Sequence, residues 1–177
     1  MNENNVIVWS SDSFLTWSNF KADPNPATFE DSHSFIKYQY TWTLNSEKLG
    51  DQILFFIENL QLSVGFHSLL SWVRVPQATD KLLKHEQGHF DLSELVKREN
   101  LKILQNNFYN KQFLTRGQNE EQRKQYAKED SGKMIAKEIE KLEQLLKQRR
   151  QEYDDQTNFG ENTEKQSEYD LIFRKLL

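Results

Sequence analysis

Lys81-Leu82-Leu83-Lys84-His85-Glu86-Gln87-Gly88-His89-Phe90-Asp91-Leu92 contains the pattern His-Glu-x-x-His, and what that pattern asks of the backbone decides the shape of the rest. On an α-helix, residues four apart share one face, one turn above the other, so His85 and His89 can hold a single cation between them. Glu86 follows the first histidine by one position, which puts its carboxylate beside the ion, where it can take a proton from a water that the ion activates. The plainer alternative is an ordinary histidine pair on an amphipathic helix with Glu86 as a solvated charge. Gly88 costs a helix interior about 1 kcal/mol relative to alanine. Nothing in helix formation asks for it, so a close approach by substrate or by a neighbouring strand is expected there.

Moving outward toward the C-terminus, the helix that the pattern needs is well supported. Asp80 is a candidate N-cap, Leu82, Leu83, Phe90, Val96, Leu101 and Leu104 recur at helical spacing, and no proline follows Asp80. A first helix is predicted over 81–108. Thr115-Arg116-Gly117 interrupts it, and a second long helix is predicted over 120–152, with Ile135, Ile139, Leu142, Leu145 and Leu146 forming a narrow apolar stripe for the first helix or the sheet. Its many mixed charges suit a solvated face. Residues 153–162 are polar, include Gly160 and are expected to lie outside the helix, after which Thr163 can cap a short terminal helix.

Toward the N-terminus the character changes. Val6-Ile7-Val8-Trp9 is rich in β-branched and aromatic residues, 34–44 alternates through Phe35, Tyr38, Tyr40 and Trp42, and 53–62 is apolar enough for a central strand. Residues 45–51, with Gly50, read as the hairpin connection between the last two. Ser71-Trp72-Val73 serves as a last strand or an anchor before Pro76. Trp9, Trp17, Trp42 and Trp72 all precede the histidines and are expected to fill a core between sheet and helices, or to border a cleft that takes an extended peptide. The expected fold is a single α+β domain over 1–177. It has a mainly antiparallel sheet to about residue 75, then two long helices and a short one from about residue 80, with the histidine helix packed on the sheet.

The 177 residues suffice for a real core, and the net charge of −4 leaves no basic footprint for nucleic acid. No apolar run is long enough to span a bilayer. The opening Met1-Asn2-Glu3-Asn4-Asn5 lacks the basic and apolar regions of a signal peptide. Cysteine is absent, so any metal must be held by imidazole and carboxylate, a donor set that suits catalytic zinc.

The run from Leu82 to Leu92 also resembles the signature of a bacterial family usually described as predicted secreted zinc-dependent proteases. Three further places carry the likeness. Leu15-Thr16-Trp17-Ser18-Asn19-Phe20 resembles its Leu-x-Trp-x-Asp-Phe element, Ser71-Trp72-Val73 its Ser-Trp-Val, and Tyr153-Asp154-x-x-Thr157-x-x-Gly160 its Tyr-Asp-x-x-Thr-x-His-Gly. The resemblance implies a zinc-dependent peptidase that is secreted, periplasmic or attached to the cell envelope, with any leader already removed, acting on peptides or proteins. One departure stands out: the family's histidine in the last element is Phe159 here, and phenylalanine cannot ligate a metal.

Catalytic zinc usually takes three protein ligands and keeps one position open. The third cannot come from the same face of the first helix, where Leu92 and Val96 stand, and the helical wheel turns Asp91 and Glu94 away. A separate segment must supply it. The resemblance points to 153–160, with Asp154 as first choice and Asp155 as second, while Glu138 or Glu143 on the second helix are the competing carboxylates. Tyr153 beside Asp154 is a candidate donor to a developing oxyanion, with a core tyrosine as the plainer alternative. His33 and His67 belong to the strand half and are expected to be sheet or surface residues. The expected activity is peptide hydrolysis with Glu86 as general base. The alternative is a catalytically impaired relative that binds a partner at the cell envelope, motivated by Phe159.

Overall fold

The computed structural model describes residues 5–177, so the start of the polar opening segment, residues 1–4, lies outside the described residues. Strand β4 (Gln52–His67) is the centre of the sheet, as its apolar run predicts: it pairs antiparallel with β3 (Ile36–Leu49) along one edge, and with β1 (Val6–Val8) and β6 (Phe113–Leu114) along the other. The hairpin is longer than the sequence suggests. Leu49 pairs with Gln52, so β3 runs through 45–49 and only Gly50 and Asp51 form the turn, with Gly50 at φ +61° where a side chain would be strained. Midway, β4 spends Asn59 and Leu60 against Trp42 alone, a bulge that Asn59 accommodates at φ +50°. The backbone groups freed at Leu60 are taken by Tyr109 Oη and Gln105 Nε2, both 2.9 Å away, which ties the bulge to the end of the first helix.

A second, two-stranded sheet pairs β2 (Ser32–His33) with β5 (Trp72–Val73). Ser71-Trp72-Val73 is therefore a strand, and its service to the site is to hold β2 in place under the first helix.

Helix α1 (Asp80–Asn106) begins one residue earlier than predicted, because Thr79 and not Asp80 is the N-cap: its hydroxyl accepts from Leu82 N at 3.1 Å, leaving Asp80 in the first turn where its charge suits the helix dipole. Phe90, Leu92 and Val96 are buried, with Phe90 against Phe66 of β4, and Tyr38 Oη donates to Ser93 O at 2.9 Å. The histidine helix is thus packed on the sheet.

Helix α2 (Glu120–Thr157) buries Ile135, Ile139, Leu142, Leu146, Tyr153 and Thr157 in one stripe and packs on both α1 and β3. It does not stop near Glu152. Nothing in 153–157 breaks a helix, and the burial of Tyr153 and Thr157 favours one more turn, which ends only when Asn158, Phe159 and Gly160 take left-handed φ values of +46°, +53° and +88°. Helix α3 (Thr163–Arg174) follows, capped by Asn162 rather than Thr163, with Asn162 Oδ1 accepting from Lys165 N. A single buried cluster joins residues from sheet and helices, with Trp9, Trp17 and Trp42 half-buried against it and Trp72 buried beside β2.

Candidate metal centre

His85 and His89 face one way from the second and third turns of α1, and the extra turn of α2 swings Asp154 across to meet them. A single oxygen, Asp154 Oδ1, lies 2.9 Å from His85 Nε2 and 2.8 Å from His89 Nε2. The three ligand atoms lie within 4.8 Å of one another. Both imidazoles are buried and the carboxylate is nearly so.

The orientation of His85 follows from its neighbours. Gln166 on α3 donates from Nε2 to Asp170 Oδ1 at 2.9 Å, which turns its Oε1 toward His85 Nδ1 at 3.1 Å. With Nδ1 placed to donate to that oxygen, Nε2 is left facing the carboxylate oxygen. Two electron-rich atoms facing each other at this distance require a cation or an extra proton between them, and an imidazole whose far nitrogen donates to an amide oxygen is how proteins orient a metal ligand. The residues present can hold a metal ion.

Tyr153 and the glycines fix the rings. The tyrosine stacks face to face on His85, centroids 4.5 Å apart and planes within 6°, and its hydroxyl lies 3.1 Å from His85 O and 2.9 Å from Gln166 Nε2. Gly88 makes room for this: a Cβ there would lie 2.0 Å from Tyr153 Oη. The neighbour that explains Gly88 is thus a side chain of α2, not a substrate or a strand. Gly160 does the same on the other side, where a Cβ would lie 3.0 Å from His85 Cβ. Tyr153 is wholly buried with its hydroxyl engaged by His85 O and Gln166, an arrangement that positions His85 and fits the plainer reading of a core tyrosine.

Glu86 is buried and receives the hydroxyls of Ser32 and Ser34, one on each carboxylate oxygen. Burial pushes its pKa up, but the nearby His89 and His85 and the two hydroxyl donors outweigh it, and the net shift is downward from the ordinary 4.5. Glu86 is therefore ionised at neutral pH. Asp154 is also held far below the usual carboxylate range, its own desolvation overcome by the two histidines. For His89, burial and then the charge of Arg150 lower the pKa below 6.5, keeping the ring neutral as a ligand must be.

The remaining candidates lie elsewhere or play other parts. Asp155 is exposed and bonds to Gln151, Glu138 pairs with Lys141, and Glu143 pairs with Lys37 at the cleft edge. Glu94 is neutralised by Lys97 and Arg98, and Asp91 accepts from Trp9 and Gln87. His67 lies in the sheet, its ring edge-on to Phe35, whereas His33 lines the cleft. Phe159, half-exposed, stands at the cleft lip with its ring 6.2 Å from that of His85. The cleft, about 370 Å³, opens onto Glu86, His89, Asp154 and Arg150. A larger cavity of about 990 Å³ between the hairpin and the start of α2 contains none of these groups. Sequence reasoning missed Ser32, Ser34, Arg150 and Gln166. Only Arg150 left a trace, being four residues before Asp154 and so on the same helical face.

Two outcomes are expected from this geometry. Gln166→Leu removes the acceptor that orients His85 and should weaken metal binding by roughly 10- to 100-fold with little change in fold, measured by competition with a chromogenic chelator. Burial also holds His33, His67 and His89 below the ordinary 6.5 in the metal-free protein. The unfolded chain therefore takes up protons that the folded chain refuses as pH falls below about 6.5, and stability is lost in that direction. Urea midpoints should be lower at pH 5.5 than at pH 7.5, with a smaller difference in His89→Gln.

Among protein-family models, curated proteins and solved structures, none matches this chain.

Proposed function

We propose that the protein is a zinc-dependent metallopeptidase in which His85, His89 and Asp154 hold the metal and Glu86 is the general base. The observation that carries this is the convergence of two imidazole nitrogens and one carboxylate oxygen at a cleft wall beside a separately anchored, ionised glutamate. Nitrogen and oxygen donors without sulfur suit zinc in a site that keeps one position for reactants. Asp154 supplies the third donor that Phe159 cannot, which favours an active site over the binding-only alternative.

A bound zinc would polarise a substrate carbonyl and bring the pKa of water near neutrality. Glu86 accepts the proton of the attacking water and later delivers it to the departing amine. Ser32 and Ser34 hold the carboxylate in one orientation while this happens, and Gln166, Tyr153, Gly88 and Gly160 keep His85 fixed. The resemblance of four sequence elements to secreted zinc-dependent proteases supports a peptide or protein substrate and a place outside the bacterial cytoplasm or at the cell envelope. No helix among the described residues is long and apolar enough to cross a membrane.

The test is zinc content and peptide hydrolysis on the same preparation. The protein should retain about one equivalent of zinc after dialysis and cleave a mixed fluorogenic peptide library, with chelator abolishing and zinc restoring the cleavage. Zinc retained without cleavage would favour the envelope-binding alternative, and no zinc retained would refute the metal centre.

A further inference from the structure

With Tyr153 buried away from the cleft, a donor for the negative charge that develops on an attacked carbonyl must come from another residue. Arg150 has the properties of one. It precedes Asp154 by one helical turn on the same face of α2, it lines the cleft with Glu86, His89 and Asp154, and its Nη2 donates to Ser34 O at 2.8 Å. Ser34 in turn donates its hydroxyl to Glu86, so the guanidinium and the base are fastened to one residue of the same short segment. An arginine has five N–H donors. Among the described residues, the bond to Ser34 is the only hydrogen bond that the Arg150 side chain makes, and it forms an ion pair with no carboxylate. Burial pulls its pKa down from the ordinary 12.5, and the nearby carboxylates Glu86, Asp154 and Glu30 oppose that shift in part. A half-buried cation with spare donors facing a cleft is arranged to receive an anion from outside the chain.

We infer that Arg150 is a catalytic residue of this centre: it receives the tetrahedral oxyanion formed in the cleft. This rests on the metallopeptidase proposal above. As the water oxygen bonds to the carbonyl carbon, the carbonyl π pair moves onto its oxygen, and the guanidinium N–H groups donate to that oxygen. When the carbonyl reforms, the C–N bond breaks and the nitrogen leaves with the proton held by Glu86. The fork geometry matters, because a lysine presents a single point of charge on a stem that does not reach Ser34 O in the same way.

The test uses inorganic phosphate, a tetrahedral oxyanion, titrated calorimetrically into zinc-loaded protein freed of excess metal. Wild-type protein should bind phosphate, Arg150→Met should bind it at least tenfold more weakly, and Arg150→Lys should fall between them, with zinc content and thermal midpoint close to wild type in all three. A role confined to structure would instead lower the thermal midpoint or zinc retention and leave the phosphate affinity of the zinc-saturated variants intact, which would overturn the inference. Equal phosphate affinity in wild type and Arg150→Met, or none in wild type, would also overturn it while leaving the metal centre standing. If wild-type protein keeps no zinc, the metal centre fails and this inference falls with it.

Discussion

Replacing Glu86 by glutamine is expected to leave zinc in place and to lower peptide hydrolysis by about 100- to 10,000-fold, the range over which a positioned general base acts. The two halves of that expectation come from different contacts. Glu86 is not among the three converging ligand atoms, so its charge can go without removing a metal donor. Its fold contacts also survive, because glutamine keeps the shape: one serine hydroxyl can still donate to the amide oxygen, and the other can turn and accept from the amide nitrogen. What glutamine cannot do is take a proton from water. Metal analysis and turnover on one preparation separate these effects, and a variant that loses zinc along with activity would assign Glu86 to the ligand set instead.

The second large effect is on stability. Gly88→Ala would ordinarily improve a helix interior by about 1 kcal/mol. Here the added methyl meets Tyr153 Oη at 2.0 Å, Tyr153 Cζ at 2.7 Å and Phe173 Cε2 at 3.2 Å. The tyrosine cannot step aside cheaply, since its ring is stacked on His85 and its hydroxyl bonds to Gln166 and His85 O. Overpacking of this kind costs about 1–3 kcal/mol and displaces α2 from α1. Because Tyr153 adjoins Asp154, zinc affinity should fall with the thermal midpoint. Gly132→Ala is the matched control: in the middle of α2, its methyl would meet only Trp42 at 3.6 Å, an ordinary contact, so that substitution should be neutral or slightly stabilising. Equal effects at the two positions would mean that Gly88 is not there for Tyr153.

The parts of this molecule that could be read from sequence are those governed by local pattern. The period of the apolar residues gave β1, the central β4 and two long helices, and the four-residue spacing of His85 and His89 gave their common face. What local pattern misjudged was extent. The hairpin strands run on to a two-residue turn because cross-strand pairing carries polar residues such as Asn45 and Ser46, and α2 runs to Thr157 because tertiary burial of Tyr153 outweighs the polarity of its neighbours. The site shows the same division. Asp154 was reachable through the resemblance of the segment around it, whereas Ser32, Ser34 and Gln166 are ordinary polar residues in sequence and acquire meaning only when β2 and α3 fold against His85 and Glu86. Tyr153 was the reverse case. Its place beside Asp154 suggested a hydroxyl aimed at substrate, but adjacent residues on a helix point about 100° apart, and the turn that sends Asp154 to the cleft sends Tyr153 into the core.

An anomalous difference map collected at the zinc edge from crystals of zinc-dialysed protein tests the central claim most directly. One peak is predicted, about 2.0–2.2 Å from His85 Nε2, His89 Nε2 and a carboxylate oxygen of Asp154. A map with no peak between those three side chains, or with its peak elsewhere on the surface, would contradict the account.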